Sequence, residues 1–141
     1  GAQGAKVEVD LKTGQVRVLE MVAVQDCGLP LNHLALRSQL NGGMIQALGY
    51  ALLEERVLDP ELGLNLNPNM EDYKIPGSMQ MPLMKAIVDE EDDRQVVIGM
   101  SEAAVIPGAS AIANAVHNAC GARVRELPLT PDKVLAALGR V

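Results

Sequence analysis

Apolar and polar residues alternate from the first positions of the chain. Val7, Val9 and Leu11 are separated by Glu8 and Asp10, the period-two pattern of a strand with one buried face. Lys12-Thr13-Gly14 reads as a tight turn, with glycine accepting a positive φ. Val16 and Val18 then alternate with Gln15 and Arg17, and Met21-Val22-Ala23-Val24 continues as a more fully buried strand. The chain therefore opens on a hairpin. Two strands alone are marginal in water, so something further must cover or extend this sheet.

From about Leu34 to Glu55 the period changes. Leu36, Leu40, Met44, Ala47, Leu48, Ala51 and Leu52 recur at helical spacing. Gly42-Gly43 interrupts the pattern, and each glycine costs roughly 0.5–1 kcal/mol in a helix relative to alanine. Three readings stay open for the pair: tight helix packing, a backbone approach to a partner or ligand, or a break between helices. Val57-Leu58, the turn Asp59 to Gly63, and Leu64 to Leu66 lead into a loop containing Asn65, Asn67, Pro68 and Asn69. Tyr73 to Pro76 is extended, and strands are predicted at Lys85 to Asp89, Val96 to Ile98 and Val124 to Leu127. A small-residue helix is expected from Ala109 to Cys120, ending at Gly121. A last helix is expected from Asp132 to Leu138, with Thr130 as cap and Pro131 at its first turn. With no internal repeat or linker, the pattern describes one α+β domain.

Composition sharpens this picture. Hydrophobic residues make up 48% of the chain, which argues against disorder. There is no Trp or Phe, so the core must be aliphatic and rich in the seven methionines. The net charge is −6 and no basic run is present, which disfavours a nucleic-acid partner. The acidic run Asp89 to Asp93 reads as a solvated turn. No apolar run reaches the roughly 18 residues of a membrane span, no signal peptide is seen, and a cytoplasmic location is expected. Cys27 and Cys120 stand far apart, as do His33 and His117, so no metal-ligand spacing appears and the cysteines are expected to be reduced.

One carboxylate stands out. Glu102 lies in a nearly uncharged stretch from Val96 to Asn114. Such a group finds partners, reaches solvent, or takes a raised pKa, and a raised pKa suits a general base. Locally, a solvated loop glutamate and a functional one both fit.

Several segments together resemble the molybdenum-binding large subunit of the xanthine dehydrogenase and aldehyde oxidase family of molybdenum hydroxylases. Val22 to Asn32 resembles its strand and turn, with Asp26, Gly28 and Asn32 in order. Gln39-Leu40-Asn41-Gly42-Gly43-Met44-Ile45-Gln46-Ala47-Leu48-Gly49 is similar to the family's Gln-x-x-Gly-Gly-x-x-Gln-Gly-x-Gly segment, with Ala47 at a common glycine. Asp72-Tyr73-Lys74-Ile75-Pro76 resembles Asp-Tyr-x-Ile-Pro, and Gly99-Met100-Ser101-Glu102 resembles the Gly-x-Gly-Glu segment of the catalytic base. Ile112 to Ala115 and Leu127 to Pro131 are similar to its closing elements. Two departures are visible: Gln95 to Ile98 replaces a Gly-rich, Lys-containing lead-in, and Ala103 stands where proline is common.

The resemblance implies that residues 1–141 are the C-terminal portion of a molybdopterin-binding domain, a partial domain whose hairpin finds its missing sheet partners upstream. It implies an α+β fold, a mixed sheet whose N-terminal hairpin is packed by several helices. It assigns Glu102 as the general base and Gln46, Gly42, Gly43, Gly99 and Ser101 to the cofactor, with no protein ligand to the metal. The implied cofactor is molybdenum on a pterin, with iron–sulfur clusters and FAD on partner domains or subunits. The implied partners are the remainder of the molybdenum-binding subunit and the iron–sulfur and flavin subunits. The implied substrate is a purine, an N-heterocycle or an aldehyde. Two other functions stay open: a non-catalytic assembly domain completing a larger subunit, and an unrelated hydrolase using Ser101 or Cys27.

Overall fold

The computed structural model describes residues 1–89 and 95–140. Strands β1 (Ala2–Val9) and β2 (Val16–Asp26) pair antiparallel as the opening hairpin. The turn closes as its chemistry requires. Asp10 Oδ1 accepts from the backbone N–H of Lys12 at 2.8 Å and of Thr13 at 3.3 Å, and Gly14 takes φ 77°.

The register of the hairpin shifts between Lys6 and Val7. This bulge explains why the polar–apolar alternation breaks along β2. Val18 is buried before it, whereas Met21, Ala23 and Gln25 are buried after it. One extra residue exchanges the two faces of a strand, so the core-facing set passes from even to odd positions.

The third strand, β3 (Leu83–Asp89), runs parallel to β2, from Glu20 opposite Leu83 to Asp26 opposite Asp89. The sheet is thus mixed, in the order β1-β2-β3. This corrects one expectation: the hairpin was expected to find its sheet partner upstream, and it finds a neighbour within the chain. The sheet is still covered unevenly. Met21 and Ala23 are sealed under helices, but Val24, on the other face, is 37% exposed.

Helix α1 (His33–Leu52) is continuous through both glycines. Its start is set by Asn32, whose side-chain oxygen accepts the Ala35 N–H at 2.9 Å. Leu40, Met44, Ala47, Leu48 and Ala51 form its buried stripe. Gly43 is buried where a Cβ would overlap the Ala104 carbonyl, while Gly42 faces open space. The pair is therefore not a helix break: Gly43 serves tight packing, and Gly42 leaves backbone open.

Helix α2 (Ile106–Cys120) packs on β1 and α1 through Gly108, Ala109, Ile112 and Val116. It begins three residues earlier than the sequence suggested and ends where expected, at Gly121 with φ 82°. Helix α3 (Pro131–Ala137) buries Val134, and the Leu129 N–H satisfies the Ala51 carbonyl at the end of α1 at 2.7 Å. Thr130 occupies the cap position without a side-chain capping bond.

Two predicted strands are absent. Val96 to Ile98 makes only an isolated bridge, Val97 to Gly28, and residues 124–127 are irregular. Extended β-rich sequence becomes a strand only beside a partner ladder, and these segments lack one. Between α1 and β3 a long arm carries a small turn closed by Asp59, which accepts from the Glu61 and Leu62 N–H groups. Asn67, buried, anchors the arm by accepting from Val57 N–H and donating to the Glu55 carbonyl. Leu62, Leu64, Leu66, Met70 and Met79 along it are exposed, Met79 at 96%. Of the acidic run, Asp89 ends β3 and Glu90 to Asp93 lie outside the described residues.

The glycine pair yields a prediction. In the cofactor-free chain, Gly42→Ala is expected to raise stability by about 0.5–1 kcal/mol, since only helix propensity changes. Gly43→Ala is expected to lower it by about 1–3 kcal/mol through overpacking against backbone. Urea unfolding of the two variants checks this, and equal effects of one sign would refute the packing assigned to Gly43.

Candidate functional site

The candidate residues meet at one corner, where the Gly99–Val105 segment crosses α1. Met100 and Ala104 are buried in the core and act as two feet. Between them a short 3-10 turn (Ser101–Ala104) lifts Ser101 and Glu102 into solvent. Ser101 has φ 39°, the only positive φ of a non-glycine residue among the described residues. That conformation costs roughly 1–2 kcal/mol for an L-residue and persists only where its surroundings enforce it.

Glu102 is exposed, and its carboxylate accepts a hydrogen bond from the Ser101 hydroxyl. That bond, helped by the Glu102 backbone N–H, holds the carboxyl below the usual glutamate value, with only slight opposition from burial. Of the three fates open to Glu102, this chain therefore combines solvent with a local partner. A raised pKa does not arise, because none of the described residues covers the group.

On α1, Gly42 and Gln46 lie one turn apart on the same side of the helix. Gln46 is exposed. Gly42 and Gly99 have open space where a side chain would begin, so a flat ligand could lie against backbone at both places. Gly43 differs: the room it leaves is filled by the Ala104 backbone, so packing alone accounts for it. Glu102 stands two residues before Ala104, and Gln46 three residues after Gly43. The Gly43–Ala104 contact thus sets the two groups on neighbouring elements of one corner.

A shallow cavity of about 260 Å³ adjoins this corner, lined by Cys27, Leu31, Leu36, Gln39, Ile98 and Met100 among others. The larger groove, about 990 Å³, lies between the hairpin, Leu52 and Met79 to Leu83, and includes none of the candidate residues. Its position argues against treating it as the chemical site, whatever its size.

Two site-supporting residues were not among the sequence candidates. The Gln3 amide donates to the Ala104 carbonyl at 2.5 Å, and the Tyr50 hydroxyl donates to the Val105 carbonyl at 3.1 Å. Burial, and secondarily the Glu54 charge, raises the Tyr50 phenol above its ordinary value, so it remains a donor. Tyr50 was discoverable as one of only two aromatic residues in the chain; Gln3 was not.

The donor set suits a cofactor that carries its own metal ligands. Among the described residues no three His, Cys, Asp or Glu side chains gather, whereas amides, a hydroxyl and open backbone do. Asn41 Oδ1, next to Gly42, is buried without a hydrogen-bond partner among the described residues.

Comparison with known proteins agrees with this chemistry. Residues 1–82 match the molybdopterin cofactor-binding domain family. The chain is 35% identical over 137 residues to the xanthine dehydrogenase molybdenum-binding subunit of Escherichia coli O157:H7, covering 95% of this chain and 18% of that protein. It is 39% identical over 137 residues to the aldehyde oxidoreductase molybdenum-binding subunit PaoC of Escherichia coli K12, covering 94% and 19%. In three dimensions it superposes on quinoline 2-oxidoreductase from Pseudomonas putida 86 with a TM-score of 0.85 at 30% identity, covering 94% of this chain and 18% of that one. The aldehyde oxidoreductase of Desulfovibrio desulfuricans gives 0.80 at 34% identity, covering 93% and 14%. The chain spans about a fifth of the length of the curated relatives it matches. It is a partial domain of the molybdopterin cofactor-binding family, related to the molybdenum-binding subunits of xanthine dehydrogenases and aldehyde oxidoreductases.

Proposed function

We propose that residues 1–141 form the C-terminal portion of the catalytic subunit of a xanthine dehydrogenase-like molybdenum hydroxylase. The whole enzyme would hydroxylate a purine, an N-heterocycle or an aldehyde. The observation that carries this reading is the strained turn that presents Ser101 and Glu102 beside the Gly42–Gln46 face of α1. The molybdenum–pterin group would supply the two-electron redox chemistry when bound. Gln46 would hydrogen-bond it through its amide, and Gly42 and Gly99 would let it approach backbone. The Ser101 hydroxyl or amide would reach the same group.

Glu102 would take a proton during oxygen transfer. An exposed, ionised carboxylate is a weak base, so this role requires cover from the rest of the subunit, which desolvates the group and raises its pKa. The exposed apolar residues of the arm and Val24 on the sheet face mark surface where the rest of the subunit would dock. Iron–sulfur and flavin subunits or domains would carry electrons away.

Three measurements test the reading. In the assembled enzyme, Glu102→Gln is expected to lower kcat by about 10²–10⁴ with molybdenum content unchanged, because glutamine keeps the shape but accepts no proton near neutrality. A normal kcat at normal metal loading would leave the assembly-domain reading standing instead. Because the Ser101 hydroxyl lowers the Glu102 carboxyl, Ser101→Ala is expected to raise that pKa. A base must be ionised to act, so the acidic limb of the kcat–pH profile should move to higher pH. Finally, the isolated chain should bind far less than one equivalent of molybdenum by elemental analysis, since it spans only a fifth of its relatives.

A further inference from the structure

We infer that Gln3 and Tyr50 are positioning residues for the Ser101–Glu102 turn, gripping the two backbone carbonyls that follow it. The inference rests on the reading of Glu102 as the base, and it adds how the base is held.

The grip begins with a backbone vacancy. The Ala104 carbonyl precedes Pro107 by three residues, and proline has no N–H to complete a 3-10 bond. The next candidate, the Gly108 N–H, bonds instead to the Val105 carbonyl at 3.2 Å. The Ala104 oxygen is left for a donor from elsewhere, and the Gln3 amide on β1 supplies it at 2.5 Å. Room for this amide is built in. A Cβ at Gly108 would overlap the Gln3 side chain and Ala47, and a Cβ at Gly43 would overlap the Ala104 carbonyl itself. The neighbouring Val105 carbonyl is taken by the Tyr50 hydroxyl from α1 at 3.1 Å. Two donors from two different elements thus hold consecutive peptide units, two and three residues beyond Glu102.

The other side of the turn is held by Met100, buried in the core, and by backbone bonds further upstream. Gln95 to Gly99 are exposed, tied by backbone bonds from Leu29 N–H to Val96 and from Ile98 N–H to Cys27, both 2.9 Å. Gly99 touches nothing where a side chain would begin. The positive φ at Ser101 is therefore held between the buried Met100 on one side and, on the other, the grips and the seat of Ala104 on α1. Releasing a grip lets the turn relax and moves the carboxylate. Displacements near 1 Å cost up to about 10²-fold in rate, so losing one of two grips is expected to cost on the order of tenfold.

The test uses the assembled enzyme with Tyr50→Phe, Gln3→Met and Glu102→Gln prepared in parallel. Phenylalanine and methionine keep the side-chain volume and remove the donor; methionine also removes the Gln3 Oε1 acceptor, which makes no hydrogen bond among the described residues. Each grip variant is expected to lower kcat about tenfold, with KM within twofold and molybdenum content and Tm near wild type. Hydrogen–deuterium exchange should quicken in peptides spanning 101–106 and nowhere else. Wild-type kcat and unchanged exchange in both variants, beside an inactive Glu102→Gln, would overturn the positioning role while the base stands. A fall in kcat accompanied by lower Tm and quickened exchange throughout would also overturn it, as a merely structural effect. If Glu102→Gln itself keeps full kcat, the base reading has failed, and the exchange data alone decide whether the grips order the turn.

Discussion

The site depends on one close approach, the Ala104 carbonyl seated on Gly43 of α1. Any side chain at position 43 would push the two elements apart. With hydrogen there, the backbone of the 101–105 turn comes within reach of the Gln3 and Tyr50 donors, and Met100 and Ala104 drop into the core shared by β2, α1 and α2. The core is aliphatic, with Met21 and Met44 fully buried at its centre, and methionine adapts to the irregular surface such a junction leaves.

Much of the fold was legible because the core-facing periods are clean. The opening hairpin, the long first helix, the stop at Gly121 and the strand before Asp89 all follow from spacing and turn chemistry. The misses have a common cause. Val96 to Ile98 and residues 124–127 carry strand-forming residues, but pairing is a property of neighbours, not of the segment. The parallel pairing of β3 with β2 was equally hidden, since no local pattern records which strand lies alongside.

The site was legible to a different depth. The family resemblance assigned Glu102, Gln46 and the glycines to one cofactor site. It did not separate Gly42 from Gly43, whose neighbours face solvent in one case and backbone in the other. Nor did it predict the ionisation of Glu102. A sequence shows an uncharged neighbourhood along the chain, but solvation is set by what lies above the group in space, and none of the described residues does here.

The parallel pairing of β2 and β3 has a consequence for how the domain is made. The hairpin forms from local contacts, yet its second edge cannot be closed until α1 and the whole arm up to Leu83 have been synthesised. Such non-local closure is intrinsically slow, because loop entropy is lost before the contacts form. During that interval the apolar middle of β2 presents an unpaired edge, the kind of surface on which nascent chains aggregate. The last quarter of the fold, with α2 laid across β1, can settle only afterwards. Pairing of this late strand is thus the step that closes the second edge of the hairpin.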